Sequence, residues 1–213
     1  MNQAALIQAL CDDLTPVRPS PPIFGLMRAS LIGAGGVLLV LLEWLGVHAG
    51  LEQGQAFAAF VLKAGTMTAI AMLAMRSLAA LAQPGSPPMA LMPGLVRIMA
   101  LLVFVALGQM LVAHESGSAR LLFGTSWQSC PWRIAVLSLP LLAGLLWVLR
   151  QQAPVHLRRT GAIAGLCAGS MAAALYALAC TEQSAAFMLA WYGMGIGATT
   201  LVGMAVGPAV LRW

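Results

Sequence analysis

Apolar residues run in six long blocks, near Leu26 to Val47, Ala56 to Ala82, Leu95 to Ala113, Ile134 to Leu149, Thr160 to Cys180 and Ala185 to Leu211, each bounded by polar or turn-forming segments. A bilayer hydrocarbon core of about 30 Å takes roughly 20 apolar residues per helical crossing. The pattern therefore predicts an all-α polytopic membrane protein, a bundle of six transmembrane helices. The fourth block is short and contains Pro140. It reaches crossing length by taking in Pro131 to Arg133, and an internal proline is tolerated where neighbouring helices re-satisfy the freed backbone groups. Two units follow: a tail, 1–25, and a six-helix membrane domain, 26–213.

Composition agrees with the pattern. Of the 213 residues 61% are hydrophobic and 8% charged, where soluble domains carry roughly 25% charge. The net charge of +5 does not point to nucleic acid, because the basic residues are dispersed with no basic stripe or nucleic-acid motif. They act instead as topogenic signals. Arg18, Arg28, Arg76, Arg97, Arg150, Arg158, Arg159 and Arg212 fall on one face, against Lys63, Arg120 and Arg133 on the other. Positive charge near short loops is retained in the cytoplasm, so both termini are expected inside. The tail carries Asp12 and Asp13 before any long apolar run and lacks the order of a cleaved signal peptide.

Gly161, Gly165 and Gly169 recur every four residues, as do Gly193 with Gly197 and Gly203 with Gly207. In lipid such spacing lets helix backbones approach closely, and all of them are expected at helix contacts.

In the tail, Leu6, Ile7, Leu10 and Leu14 lie at helical spacing, with Gln8, Asp12 and Asp13 elsewhere on the turn. The short amphipathic helix this predicts has two possible destinations, the membrane interface or the groove of a soluble partner. Its acidic residues would be repelled by anionic lipid, which favours a partner. Cys130 precedes the fourth block and Cys180 closes the fifth, so both are expected at the outer face. There they can form a static disulfide staple, or act as a redox or thiophilic-metal sensor, since thiolates bind soft ions and thiol pairs switch with disulfide. Cys11 and Cys167 read as small apolar residues. Glu43 and Lys63, near the outer ends of neighbouring blocks, are expected to form a structural ion pair, because an unpaired charge there is costly. No catalytic motif is present and no cofactor is implied. A competing function class is a small metal-ion or metabolite transporter, motivated by the helix count and by His114, Glu115 and the cysteines near one face.

Three stretches resemble the NrsF family, negative regulators of an extracytoplasmic-function sigma factor that are six-helix inner-membrane anti-sigma proteins. Leu10 to Arg18 is similar to that family's amino-terminal DL-x-PV segment, and Cys130-Pro131-Trp132-Arg133-Ile134 to its outer cysteine before the fourth helix. The third runs from Ala177 to Glu182 through Phe187, Trp191-Tyr192 and Gly195 to Gly207-Pro208 and Leu211-Arg212-Trp213. Thr181 departs from the proline of that pattern. The resemblance implies a bacterial inner-membrane protein that holds a sigma factor and releases it under envelope stress. Sigma capture would fall to Leu6, Ile7, Leu10, Asp12, Asp13 and Leu14, assisted by Arg158 and Arg159, and sensing to Cys130 and Cys180.

Overall fold

The computed structural model describes residues 22–46, 57–83, 91–112, 121–152 and 154–212, with the isolated positions 3, 7, 8 and 11. Among the described residues the regular structure is entirely helical: α1 (Pro22–Trp44), α2 (Phe57–Leu81), α3 (Leu91–Val112), α4 (Cys130–Arg150), α5 (Leu157–Tyr176) and α6 (Ala185–Val210). Within α6, Met188–Tyr192 is wound as a π turn.

All but α5 are long and apolar enough to cross a membrane. Their outward surfaces suit lipid: on α3, Leu111 is 87% and Val112 85% exposed, which water would penalise and acyl chains would not. The exception, α5, is built from alanine, glycine, serine and threonine, which lowers its hydropathy. Its surroundings explain this: twelve of its twenty residues are buried, packed against α6, α2, α4 and α1. A helix enclosed by other helices needs small residues for close approach more than it needs large apolar ones.

The α5/α6 seam shows that economy. A Cβ on Gly161 would come within 2.9 Å of Gly207 Cα, and one on Gly165 within 2.8 Å of Thr200 Cα. Gly169 lies against Ile196 in the same way. Gly193 and Gly197 do not: nothing lies within 4 Å of a Cβ there, and between them Gly195 packs on Pro131 and Ile134 of α4. The expectation for that pair is corrected: Gly195, Thr199, Gly203 and Gly207, four residues apart, form the buried face of α6, and Gly193 and Gly197 lie off it.

The fourth helix is not short. It begins at Cys130 and runs 21 residues, with Pro131 in its first turn, where a missing N–H costs nothing, and Pro140 inside. A buried hydroxyl pair, Ser138 to Thr199 at 2.8 Å, ties it to α6. The fifth helix ends four residues earlier than the apolar block: the chain leaves α5 after Tyr176 and passes through tight turns, Ala179 N–H donating to Tyr176 O at 3.0 Å and Cys180 N–H to the same oxygen at 3.1 Å. Cys180 therefore sits in the α5/α6 connector.

Candidate functional site: a buried thiol pair

Beyond the end of α5 the connector carries main-chain carbonyls that have no helical donor. Lys63, on the first half of α2 and only 3% exposed, supplies one. Its ammonium donates to Cys180 O at 3.0 Å and also to Glu182 O. This replaces the expected Glu43–Lys63 pair. Glu43 is exposed at the end of α1, and among the described residues no carboxylate forms an ion pair with Lys63, whose charge is met by main-chain oxygens.

The two expected cysteines do meet. Cys130, fully buried at the start of α4, and Cys180, 4% exposed, are free thiols whose side chains interact. The Cys130 thiol holds the Cys180 thiol below its ordinary range, with burial opposing it and the Lys63 ammonium adding to it. Thiolate character is what makes a cysteine nucleophilic or metal-binding. Around the sulfurs stand Tyr176 and Tyr192, ring centroids 6.0 Å apart. The Tyr192 hydroxyl lies beside the Cys180 thiol but outside normal hydrogen-bond geometry. Arg133 lies near the Tyr176 hydroxyl and 5.9 Å over the Trp44 ring of α1. Among the described residues no cluster of three or more His, Cys, Asp or Glu side chains could hold a metal ion, so a soft ion would rely on the two sulfurs.

Both cysteine-bearing segments are anchored. The loop 121–129 is pinned to α6 by Trp191 Nε1–H donating to Leu122 O at 2.8 Å and by Trp127 packed 5.1 Å from Trp191. It is pinned to the connector by Glu182, whose Oε1 accepts from Thr125 N at 2.6 Å and Thr125 Oγ1 at 2.8 Å. Ser184 then caps α6, accepting from Ala186 N and Phe187 N, and Gln109 Oε1 of α3 accepts from Ala185 N at 2.8 Å. A cavity of about 900 Å³ between α2, α3 and Glu182 to Ser184 lies beside this connector.

At the other end of α5, roughly 30 Å away at 1.5 Å per residue, Arg158 and Arg159 join His156 and Arg212 in lining a cleft of about 530 Å³. In the tail, Ile7 is helical and exposed, whereas Leu6, Leu10, Asp12, Asp13 and Leu14 lie outside the described residues, as does His114. The sequence placed Glu182 and Tyr192 in a family-like stretch without giving either a role, and it did not single out Thr125 or Tyr176. The one available signal was Glu182 two residues after Cys180.

A family model described as "Negative regulator of sigma F", NrsF, matches residues 10–213. The chain is 34% identical over 185 residues, 85% of each chain, to a protein of Azospira oryzae named probable anti-sigma-F factor NrsF. It is 35% identical over 218 aligned positions, spanning 100% of each chain, to the anti-sigma-F factor NrsF of Caulobacter vibrioides. No solved structure matches. With a family match over nearly its whole length and relatives above 30% identity, the chain belongs to the NrsF family, negative regulators of sigma F, whose role is regulatory rather than catalytic.

Proposed function

We propose that the chain is a multipass anti-sigma factor of the bacterial inner membrane, with six crossings and both termini in the cytoplasm. It holds an extracytoplasmic-function sigma factor through the tail, 1–25, and releases it when Cys130 and Cys180 are oxidised or bridged by a soft metal. The observation that carries this reading is the buried thiol pair at the far end of α5 from the basic cleft, in a chain that belongs to an anti-sigma family. The distribution of arginines supports the orientation, and the enclosure of α5 supports its counting as a sixth crossing despite its lower hydropathy. Asp12 and Asp13 would meet basic residues of the sigma factor while Leu6, Ile7, Leu10 and Leu14 fill an apolar groove, with Arg158 and Arg159 assisting.

On the outer side, a thiolate and a thiol give up two electrons and one proton to an oxidant such as a peroxide, forming a disulfide. A soft divalent ion instead displaces the remaining proton and binds both sulfurs. Either product favours a bundle arrangement with lower affinity for the sigma factor, and its differential affinity for the two arrangements sets the size of the response. Deletion of residues 1–22 should switch on the sigma regulon without any stimulus. A silent regulon in that deletion, with the truncated chain still inserted, refutes capture by the tail.

A further inference from the structure

The two sulfurs belong to segments 50 residues apart in sequence, and they meet because a chain of hydrogen bonds holds both segments against α2. Lys63 fixes the connector at two carbonyls, those of Cys180 and Glu182. The Glu182 side chain then reaches across to the other segment and takes both donors of Thr125. Beyond Thr125 the turn leads straight into α4: Ser126 O accepts from Ser129 N at 3.2 Å and from Cys130 N at 3.0 Å.

Gly124 makes room for this link. Its φ is +54°, a left-handed conformation that costs a residue bearing a Cβ roughly 1–2 kcal/mol. A Cβ there would lie 2.5 Å from Glu182 Cδ and Oε2, so the carboxylate occupies the space that only glycine leaves. A chain of contacts that terminates on both sides of a thiol pair sets how closely the sulfurs approach. That approach is demanding: a disulfide needs Cα atoms about 4.4–6.8 Å apart, and a bridging ion with metal–sulfur bonds of about 2.3 Å needs both sulfurs on it at once.

We propose that Lys63, Glu182, Thr125 and Gly124 form a clamp that fixes the approach of the Cys130 and Cys180 sulfurs, making them positioning residues of the sensing pair. The inference rests on the reading of the pair as the sensing site. None of the four supplies electrons or a sulfur ligand; Glu182, Thr125 and Gly124 act through the backbone that carries a cysteine, and Lys63 does so while its charge also favours the Cys180 thiolate. Loosening the clamp lowers the effective concentration of one sulfur at the other, so the disulfide becomes easier to reduce.

The test uses the full chain in nanodiscs with Cys11→Ser and Cys167→Ser, equilibrated against glutathione and glutathione disulfide. Two thiols pass two electrons and two protons to glutathione disulfide, which becomes two glutathione molecules. Mass spectrometry after trapping reads the disulfide fraction. Glu182→Ala and Gly124→Ala should each lower the dithiol-to-disulfide equilibrium constant at least tenfold, a midpoint about 30 mV less negative. Glu182→Gln, which keeps an acceptor for Thr125, should stay within threefold of the parent. Cadmium titration, followed by thiolate charge-transfer absorbance, should rank the variants in the same order. Should one variant fail to fold, as tryptophan fluorescence would show, Thr125→Val removes only a hydroxyl donor and still tests the link. Parent-like potentials and cadmium affinities in the folded variants overturn the clamp. A parent chain that forms no disulfide and binds no cadmium overturns the sensing reading itself, so the two failures are distinguishable.

Discussion

Substitution at Gly161 tests the architecture where its tolerance is lowest. Along the α5/α6 seam the two backbones touch with no side chain between them. A Cβ on Gly161 would lie 2.9 Å from Gly207 Cα and closer still to the Gly203 carbonyl oxygen. Contacts between carbon and carbonyl oxygen settle at about 3.3–3.6 Å, so α5 and α6 must part by several tenths of an ångström or more. A gap of about 0.5–1 Å forfeits roughly a quarter to a half of the dispersion energy of the atoms lining it. The obstructing atoms are backbone and cannot swing aside. Gly161→Ala should therefore cost about 1–3 kcal/mol, even though alanine gains up to about 1 kcal/mol over glycine in helix propensity. Gly197→Ala is the internal control: nothing lies within 4 Å of its Cβ, so it should be neutral or stabilising by up to about 1 kcal/mol. Reversible unfolding by dodecyl sulfate in mixed micelles, followed by tryptophan fluorescence, measures both. Equal stabilities for the two variants would refute the assignment of the seam.

Two further outcomes follow from the site. Lys63→Met leaves the buried Cys180 and Glu182 carbonyls without their donor and should destabilise by about 1–3 kcal/mol, whereas Glu43→Gln, at an exposed position, should stay within about 0.5 kcal/mol of wild type; matching losses would restore the ion pair between them. Because the Cys130 thiol favours the Cys180 thiolate, alkylation of Cys180 should level off at a lower pH than that of a free thiol, and Cys130→Ala should move its profile to higher pH. An unmoved profile contradicts that interaction.

The five helices long and apolar enough to cross a bilayer were legible because such a run is a local property. So was the nearness of Cys130 to Cys180, since one opens the fourth apolar block and the other closes the fifth. The partner of Lys63 was not. Charge pairing along the sequence pointed to Glu43, but the acceptors are main-chain carbonyls 117 and 119 residues away, exposed by the early end of α5, and main-chain groups carry no residue signature. The link from Glu182 to Thr125 depends likewise on a left-handed turn at Gly124 and on how loop 121–129 folds over α6, neither of which hydropathy encodes. Gly193 and Gly197 repeat the spacing of the true contact glycines, yet spacing gives a shared face without saying what that face meets; here the contact falls at Gly195.

The central claim, that chemistry at the thiol pair governs capture of the sigma factor, is tested most directly by binding in a purified system. The full chain in nanodiscs would be titrated with the purified sigma F of its source, before and after treatment with peroxide or cadmium. The account predicts tight binding to the untreated chain, at least a tenfold loss after either treatment, and no loss in Cys130→Ser or Cys180→Ser. Binding that is absent from the untreated chain, or that survives both treatments unchanged in the wild type, would contradict it.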